Sequence, residues 1–162
     1  MNQTNSPDAV VIDANVLIAI CAREASKLSQ AEAVINEYAM NGVLFYAPGA
    51  LIAEVLYILC KKRQEGLLSE ESYREAIENL QDQMRGCFPS PRGDSALIAR
   101  AEEIHNGYGC SHSTDSIYIA LAEELAKTND VELLTFDKGL EKQVAKKAPS
   151  VKARLLVPSL IN

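Results

Sequence analysis

The stretch Val10-Val11-Ile12-Asp13-Ala14-Asn15 decides the fold class. Val10, Val11 and Ile12 form an unbroken β-branched run, the pattern of a parallel strand buried on both faces. The run stops at a carboxylate, and Asn15 marks a turn into apolar residues at helical spacing. Such an edge, apolar strand then acid then helix, is where an α/β sheet opens onto its ligand side.

Outward from that point, strand and helix signals alternate to the end of the chain. Val16 to Ala22 predicts a short helix and Leu28 to Asn41 a longer one, with Ser26 as a candidate cap and Gly42 as the stop. A strand over Val43 to Ala47 is broken by Pro48 and Gly49. Ala50 to Gln64 then places Leu51, Val55, Ile58 and Leu59 on one helical stripe, with Glu54 on its flank. Ser69 introduces an amphipathic helix over Glu70 to Met84, and Gly86 to Phe88 predicts a short strand before the loop Pro89 to Gly93. Asp94 is placed to cap a helix over Ala96 to Asn106, Gly107 to Gly109 turn the chain, and Ser113 or Thr114 is placed to cap a helix over Thr114 to Ala126. Val131 to Thr135 predicts a strand, Lys138 to Lys147 a helix and Arg154 to Val157 a last strand. The expectation is one α/β domain over residues 1–162, with a mostly parallel central sheet of about five strands flanked by helices and residues 1–8 as a flexible tail.

Composition agrees with one folded domain. The 162 residues are 48% apolar and 23% charged, enough for a core that needs no disulfide or structural metal. The apolar stretches fall short of the ~20 residues that span a bilayer, and the polar N-terminus lacks the pattern of a secretory signal, so a cytosolic protein off the membrane is expected. Cys21, Cys60, Cys87 and Cys110 stand singly, as free thiols do in that compartment. Cys110, His112 and His105 are near one another but lack a fourth ligand at zinc-like spacing, which leaves a polar loop as the plainer reading. A net charge of −6 runs against a nucleic-acid binder, unless much of it sits in a cation-binding pocket.

Four acids share a placement. Asp13 and Asp137 follow strands, Asp115 sits in the first turn of a helix, and Glu54 lies one turn inside the helix after the second strand. Taken singly, Asp115 and Asp137 read as helix-start residues and Glu54 as a surface residue. Asp13 resists that account because it ends a wholly apolar run. Four acids converging on the carboxyl rim of one sheet would be tolerable only with a cation among them.

The segments VVIDANVLIAI (10–20), PGALIAEVLYIL (48–59), TDSIYIALAEEL (114–125) and LLTFDKGL (133–140) resemble, in order and across nearly the whole chain, the successive motifs of PIN-domain nucleases. The resemblance implies that Asp13, Glu54, Asp115 and Asp137 form an acidic metal-binding quartet, with Asn15 and Thr135 as polar supports. Ser113 and Thr114 depart from the family where an aromatic often precedes the third acid, and the loop from His105 to His112 is unlike its shorter forms. Both departures bear on the substrate groove. An all-carboxylate set suits hard Mg2+ or Mn2+ over zinc or copper. The implied activity is metal-dependent hydrolysis of phosphodiester bonds in single-stranded RNA. Among small stand-alone relatives, the resemblance points to VapC-type toxins, which implies a small antitoxin partner and a homodimer. Lys61, Lys62, Arg63, Lys138 and Lys142 are candidate RNA contacts, although a solvated helix face also explains them. Tyr57 and Tyr118 are candidates to stack on bases, with core packing the plainer role. Two other readings stay open: a PIN-like binding module without activity, and a metal-dependent phosphatase or phosphotransfer domain. The latter is weakened by Asn15, which stands where the dehalogenase-type enzymes need a second Asp.

Overall fold

A computed structural model describes residues 6–107, 109 and 115–160. At its centre is β1 (Ala9–Ile12), whose four residues are all buried because the sheet is covered on both faces. It pairs in parallel with β2 (Leu44–Tyr46) on one side and β4 (Val131–Thr135) on the other. Beyond them lie β3 (Cys87–Phe88) and β5 (Lys152–Leu155), also parallel, for a five-stranded order β3-β2-β1-β4-β5. The expected parallel α/β class is what forms, and the parallel pairing extends to every described strand.

Around the sheet pack α1 (Ala14–Cys21), α2 (Leu28–Met40), α3 (Ala50–Gln64), α4 (Glu70–Arg85), α5 (Ile98–Asn106), α6 (Asp115–Leu125) and α7 (Lys138–Lys147). Burial follows the helical stripes: Leu51, Val55 and Leu59 of α3 and Tyr118, Ile119, Leu121 and Ala122 of α6 are fully enclosed with Val10, Val11, Leu133 and Leu134. Helix α4 is more polar and buries only Ala76 and Leu80 completely. Its cap is the expected Ser69, whose side chain accepts from the Ser72 amide at 3.0 Å.

Several local expectations are corrected. Ser26 does not cap α2; the helix begins after Lys27 with no side-chain cap, and the Ser26 carbonyl instead accepts from the Ser159 amide at 2.7 Å. Asp94 does not cap α5. It lies in a 3-10 turn, Asp94–Leu97, and its carboxylate accepts from the Gly49 amide at 2.7 Å and from Ser90 Oγ at 2.5 Å, tying that turn to the start of α3. A Cβ on Gly49 would lie 3.1 Å from that carboxylate, so glycine permits the approach. The last strand starts two residues earlier than expected because its register pairs Lys152 with Glu132. The expected tail is shorter at its C-terminal end: Asp8 accepts from the Asp130 amide at 2.8 Å through its carboxylate, and its own amide donates to the Asp130 carbonyl at 2.9 Å. Cys110, His112 and the Ser113 or Thr114 cap lie outside the described residues. Cys21, Cys60 and Cys87 are free, as expected, and no described helix is long and apolar enough to cross a membrane.

Candidate active site

The sheet order reverses direction at β1: one half of the chain winds outward through β2 and β3, the other through β4 and β5. At such a switch point the connections from two neighbouring strands part, leaving a crevice at their carboxyl ends. Here those strands are β1 and β4. Their register sets Ile12 beside Leu134, and the Asp13 amide donates to the Leu134 carbonyl at 3.0 Å, so Asp13 and Thr135 emerge side by side.

Asp13 is 5% exposed. Thr135, fully buried, donates its hydroxyl to Asp13 Oδ2 at 2.6 Å. The same Oγ1 accepts from Asn15 Nδ2 at 3.1 Å and from the Asp137 amide at 2.9 Å, while Asn15 Oδ1 accepts from the Phe136 amide at 3.1 Å. Asn15 and Thr135 thus stitch the start of α1 to the end of β4 and the loop that follows it. Asp137 caps α7, accepting from the Gly139 amide at 2.6 Å through Oδ1. The plain role is therefore real for one of its oxygens, and the side chain still borders the cleft.

Glu54, half-buried on α3, accepts from Tyr118 Oη at 2.9 Å. Tyr118 has no exposed surface, so it is a core residue whose hydroxyl steadies the glutamate, and base stacking is closed to it. Burial and the adjacent Glu54 carboxylate hold the phenol well above its ordinary range, which keeps it a donor. Asp115, in the first turn of α6, accepts from the buried Gln143 Nε2 at 3.3 Å.

Asp13, Asn15, Glu54, Asp115 and Asp137 line one open cleft of about 350 Å³. Residues separated by more than a hundred positions are brought to one rim by the parallel topology. The electrostatic consequence is clearest at Asp13. Burial lifts its carboxyl from 3.8 to about 7; the Thr135 hydrogen bond opposes the rise, and the charges of Asp115 and Glu54 add to it. A site that penalises its own central anion in this way suits a cation, and oxygen-only donors suit a hard one. Among the described residues, no three His, Cys, Asp or Glu side chains stand close enough together to form a ligand group as they are placed. Each acid instead holds to a local partner.

A family model of the PIN domain matches residues 10–146. The chain belongs to the PIN domain family. It is 31% identical over 137 residues to Ribonuclease VapC3 of Mycobacterium tuberculosis, a match covering 85% of this chain and 88% of that protein. Two solved structures share the fold at low identity. VapBC2 from Rickettsia felis, bound to a DNA fragment from their promoter, superposes with a TM-score of 0.62 at 10% identity, covering 91% of this chain and 98% of the other. FitAcB from Neisseria gonorrhoeae superposes with a TM-score of 0.57 at 15% identity, covering 89% and 95%.

The cleft of this PIN domain also holds Ile58 of the α3 stripe and three residues that spacing alone did not single out: Glu24, Lys27 and Ile18. Glu24 and Lys27 come from the link between α1 and α2, a segment with no strand end or motif to flag it. Of the candidate RNA contacts, Lys62 lines the cleft. Lys61 pairs with Glu65 at 3.7 Å on the exposed side of α3. Arg63 pairs with Glu70 at 3.5 Å and stacks on Tyr73 at 4.5 Å from the ring centroid, facing α4. Lys138 and Lys142 are exposed on α7, and Tyr57 is 65% exposed on α3.

Proposed function

We propose that this PIN domain is a divalent-metal-dependent endoribonuclease acting on single-stranded RNA, with Asp13, Glu54, Asp115 and Asp137 holding Mg2+ or Mn2+. The observation that carries this reading is a carboxylate, Asp13, whose ionisation is opposed by burial and further by two neighbouring acids, in an open cleft at a topological switch point. Family membership and the similarity to a named ribonuclease support it. When bound, the metal would supply Lewis-acid activation of a water and neutralisation of phosphate charge. The chain supplies the rest. Thr135 and Asn15 fix the orientation of Asp13 and the path of the backbone to Asp137. Tyr118 and Gln143 anchor Glu54 and Asp115 at the cleft, and both carboxylates would shift from these partners to meet a cation. By the same resemblance, its biological role is the toxin of a type II pair, held in check by a small antitoxin, working as a homodimer in the cytoplasm.

The test is cleavage of a fluorogenic single-stranded RNA with Mn2+, with EDTA, and with the Asp13→Asn variant. Cleavage requiring Mn2+ and lost by at least about 100-fold in the variant is expected, a larger effect than the ~10–100-fold typical of outer contacts. If folded Asp13→Asn protein cut RNA at the wild-type rate, the assignment would be wrong. Absence of both Mn2+ binding and cleavage in the wild type would favour a binding module.

A further inference from the structure

One wall of the acidic cleft is cationic. Lys62 Nζ lies 2.8 Å and Lys27 Nζ 3.0 Å from the carboxylate of a single glutamate, Glu24. Their side chains keep 23% and 30% exposure and that of Glu24 18%, so the three are packed into the wall while each lysine still lines the open cleft. Lys27 is steadied further by the Phe136 ring, whose centroid lies 5.5 Å from Nζ. Two positive charges share one negative charge, which leaves the trio with a surplus of +1.

The backbone holds this arrangement at a cost. Helix α1 ends in a paired-bond cap in which the Glu24 amide donates to the Ala19 carbonyl at 2.9 Å and the Arg23 amide to Ile20 at 3.2 Å. The left-handed residue of that cap, normally glycine, is Arg23 at φ 50°. The residue after it is Glu24, so the strained turn sets where the carboxylate enters the cleft. Four residues later the chain starts α2: the Leu28 amide donates to the Glu24 carbonyl at 2.8 Å, and no side chain caps the helix, whose positive end therefore lies beside Lys27. Burial works to raise the Glu24 carboxyl, and the hydrogen bonds from Lys62 and Lys27 outweigh it, so its pKa falls below the ordinary range.

We infer that Lys27 and Lys62, positioned by Glu24, form a seat for a backbone phosphate of the RNA neighbouring the one to be cut. The inference rests on the nuclease reading for its ligand, and on the wall's geometry for its location. An acidic metal site repels the polyanion it must cut, and a preset cationic pair beside it supplies local attraction that the net charge of −6 does not. The competing role for the lysines is to neutralise the acids, and it has the opposite signature toward metal.

The experiment compares wild type, Lys27→Gln/Lys62→Gln, Lys27→Arg/Lys62→Arg and Glu24→Gln, each checked for folding by thermal melting. Binding of a short fluorescent single-stranded RNA is measured by anisotropy in Ca2+, cleavage in Mn2+, and Mn2+ affinity by calorimetry. The Gln pair is expected to raise the RNA Kd and KM about tenfold, with kcat within about twofold, and to lower the salt dependence by about one unit of slope. The Arg pair should restore binding. Glu24→Gln should raise KM more than it lowers kcat, because the lysines lose their common anchor. Unchanged RNA affinity in the Gln pair, with tighter Mn2+ binding, would overturn the seat and assign the lysines to charge balance. Loss of RNA binding in the Gln pair with no cleavage by the wild type would keep the seat and sink the nuclease reading. A wild type that neither binds nor cuts RNA would sink both.

Discussion

At the scale of single residues, the cleft turns on how Asp13 is held. Thr135 Oγ1 is both the donor to Asp13 and the acceptor for Asn15 and the Asp137 amide, so one hydroxyl closes three contacts. Thr135→Val keeps the shape and removes them all. The expected result is a loss of about 1–3 kcal/mol in urea unfolding, because buried partners are left unsatisfied, together with roughly tenfold weaker Mn2+ binding by calorimetry. The same carboxylate also makes stability depend on pH. In the folded, metal-free protein Asp13 keeps its proton up to about 7, whereas unfolded it loses it near 3.8. Between those values the unfolded state binds fewer protons, so the contribution of Asp13 to stability is greatest in acid, falls as pH rises through this window, and is flat above it. The decline, on the order of a few kcal/mol, should appear in chelated wild-type protein and be absent from Asp13→Asn. A parallel pH dependence in the two proteins would assign it elsewhere.

At the scale of elements, most boundaries followed from local chemistry, and the exceptions have tertiary causes. Helices α3 and α7 span the ranges expected from stripe and cap, since their apolar periodicity and flanking breakers point the same way. Asp94 has the right chemistry for a cap, but its carboxylate is taken by the Gly49 amide, distant in sequence; Ser26 falls one residue short of the α2 N-cap, which is Lys27. The α1 terminus shows the reverse: an arginine sits where local preference asks for glycine. Arg23→Gly should relieve the left-handed strain and raise stability by about 0.5–1 kcal/mol, net of the extra chain entropy glycine adds to the unfolded state. A melting temperature at or below that of the wild type would show that Arg23 makes contacts worth more than the strain.

At the scale of the molecule, burial and two neighbouring acids oppose the ionisation of Asp13, and a bound cation would offset that cost. Mn2+ should therefore raise the melting temperature, by the equivalent of about 2.7 kcal/mol at a concentration 100 times its Kd, and should do so much less in Asp13→Asn. An equal shift in both proteins would mean that the ion binds elsewhere. The acid quartet was legible because each member carries a local mark: a strand end for Asp13 and Asp137, a helix start for Asp115, an apolar flank for Glu54. Those marks, read in series with the family motifs, specify the parallel α/β class and the candidate acids. Glu24 and Lys27 carry no such mark, and Lys62 looked no different from Lys61 or Arg63. Period, breakers and buried runs are properties of neighbours in the chain, so sequence alone determined the elements and the residues at their ends. Which charges face one another across a cleft depends on the order and register of strands. That is why only the tertiary structure paired Lys27 with Lys62 through Glu24 and set the pair beside the acids.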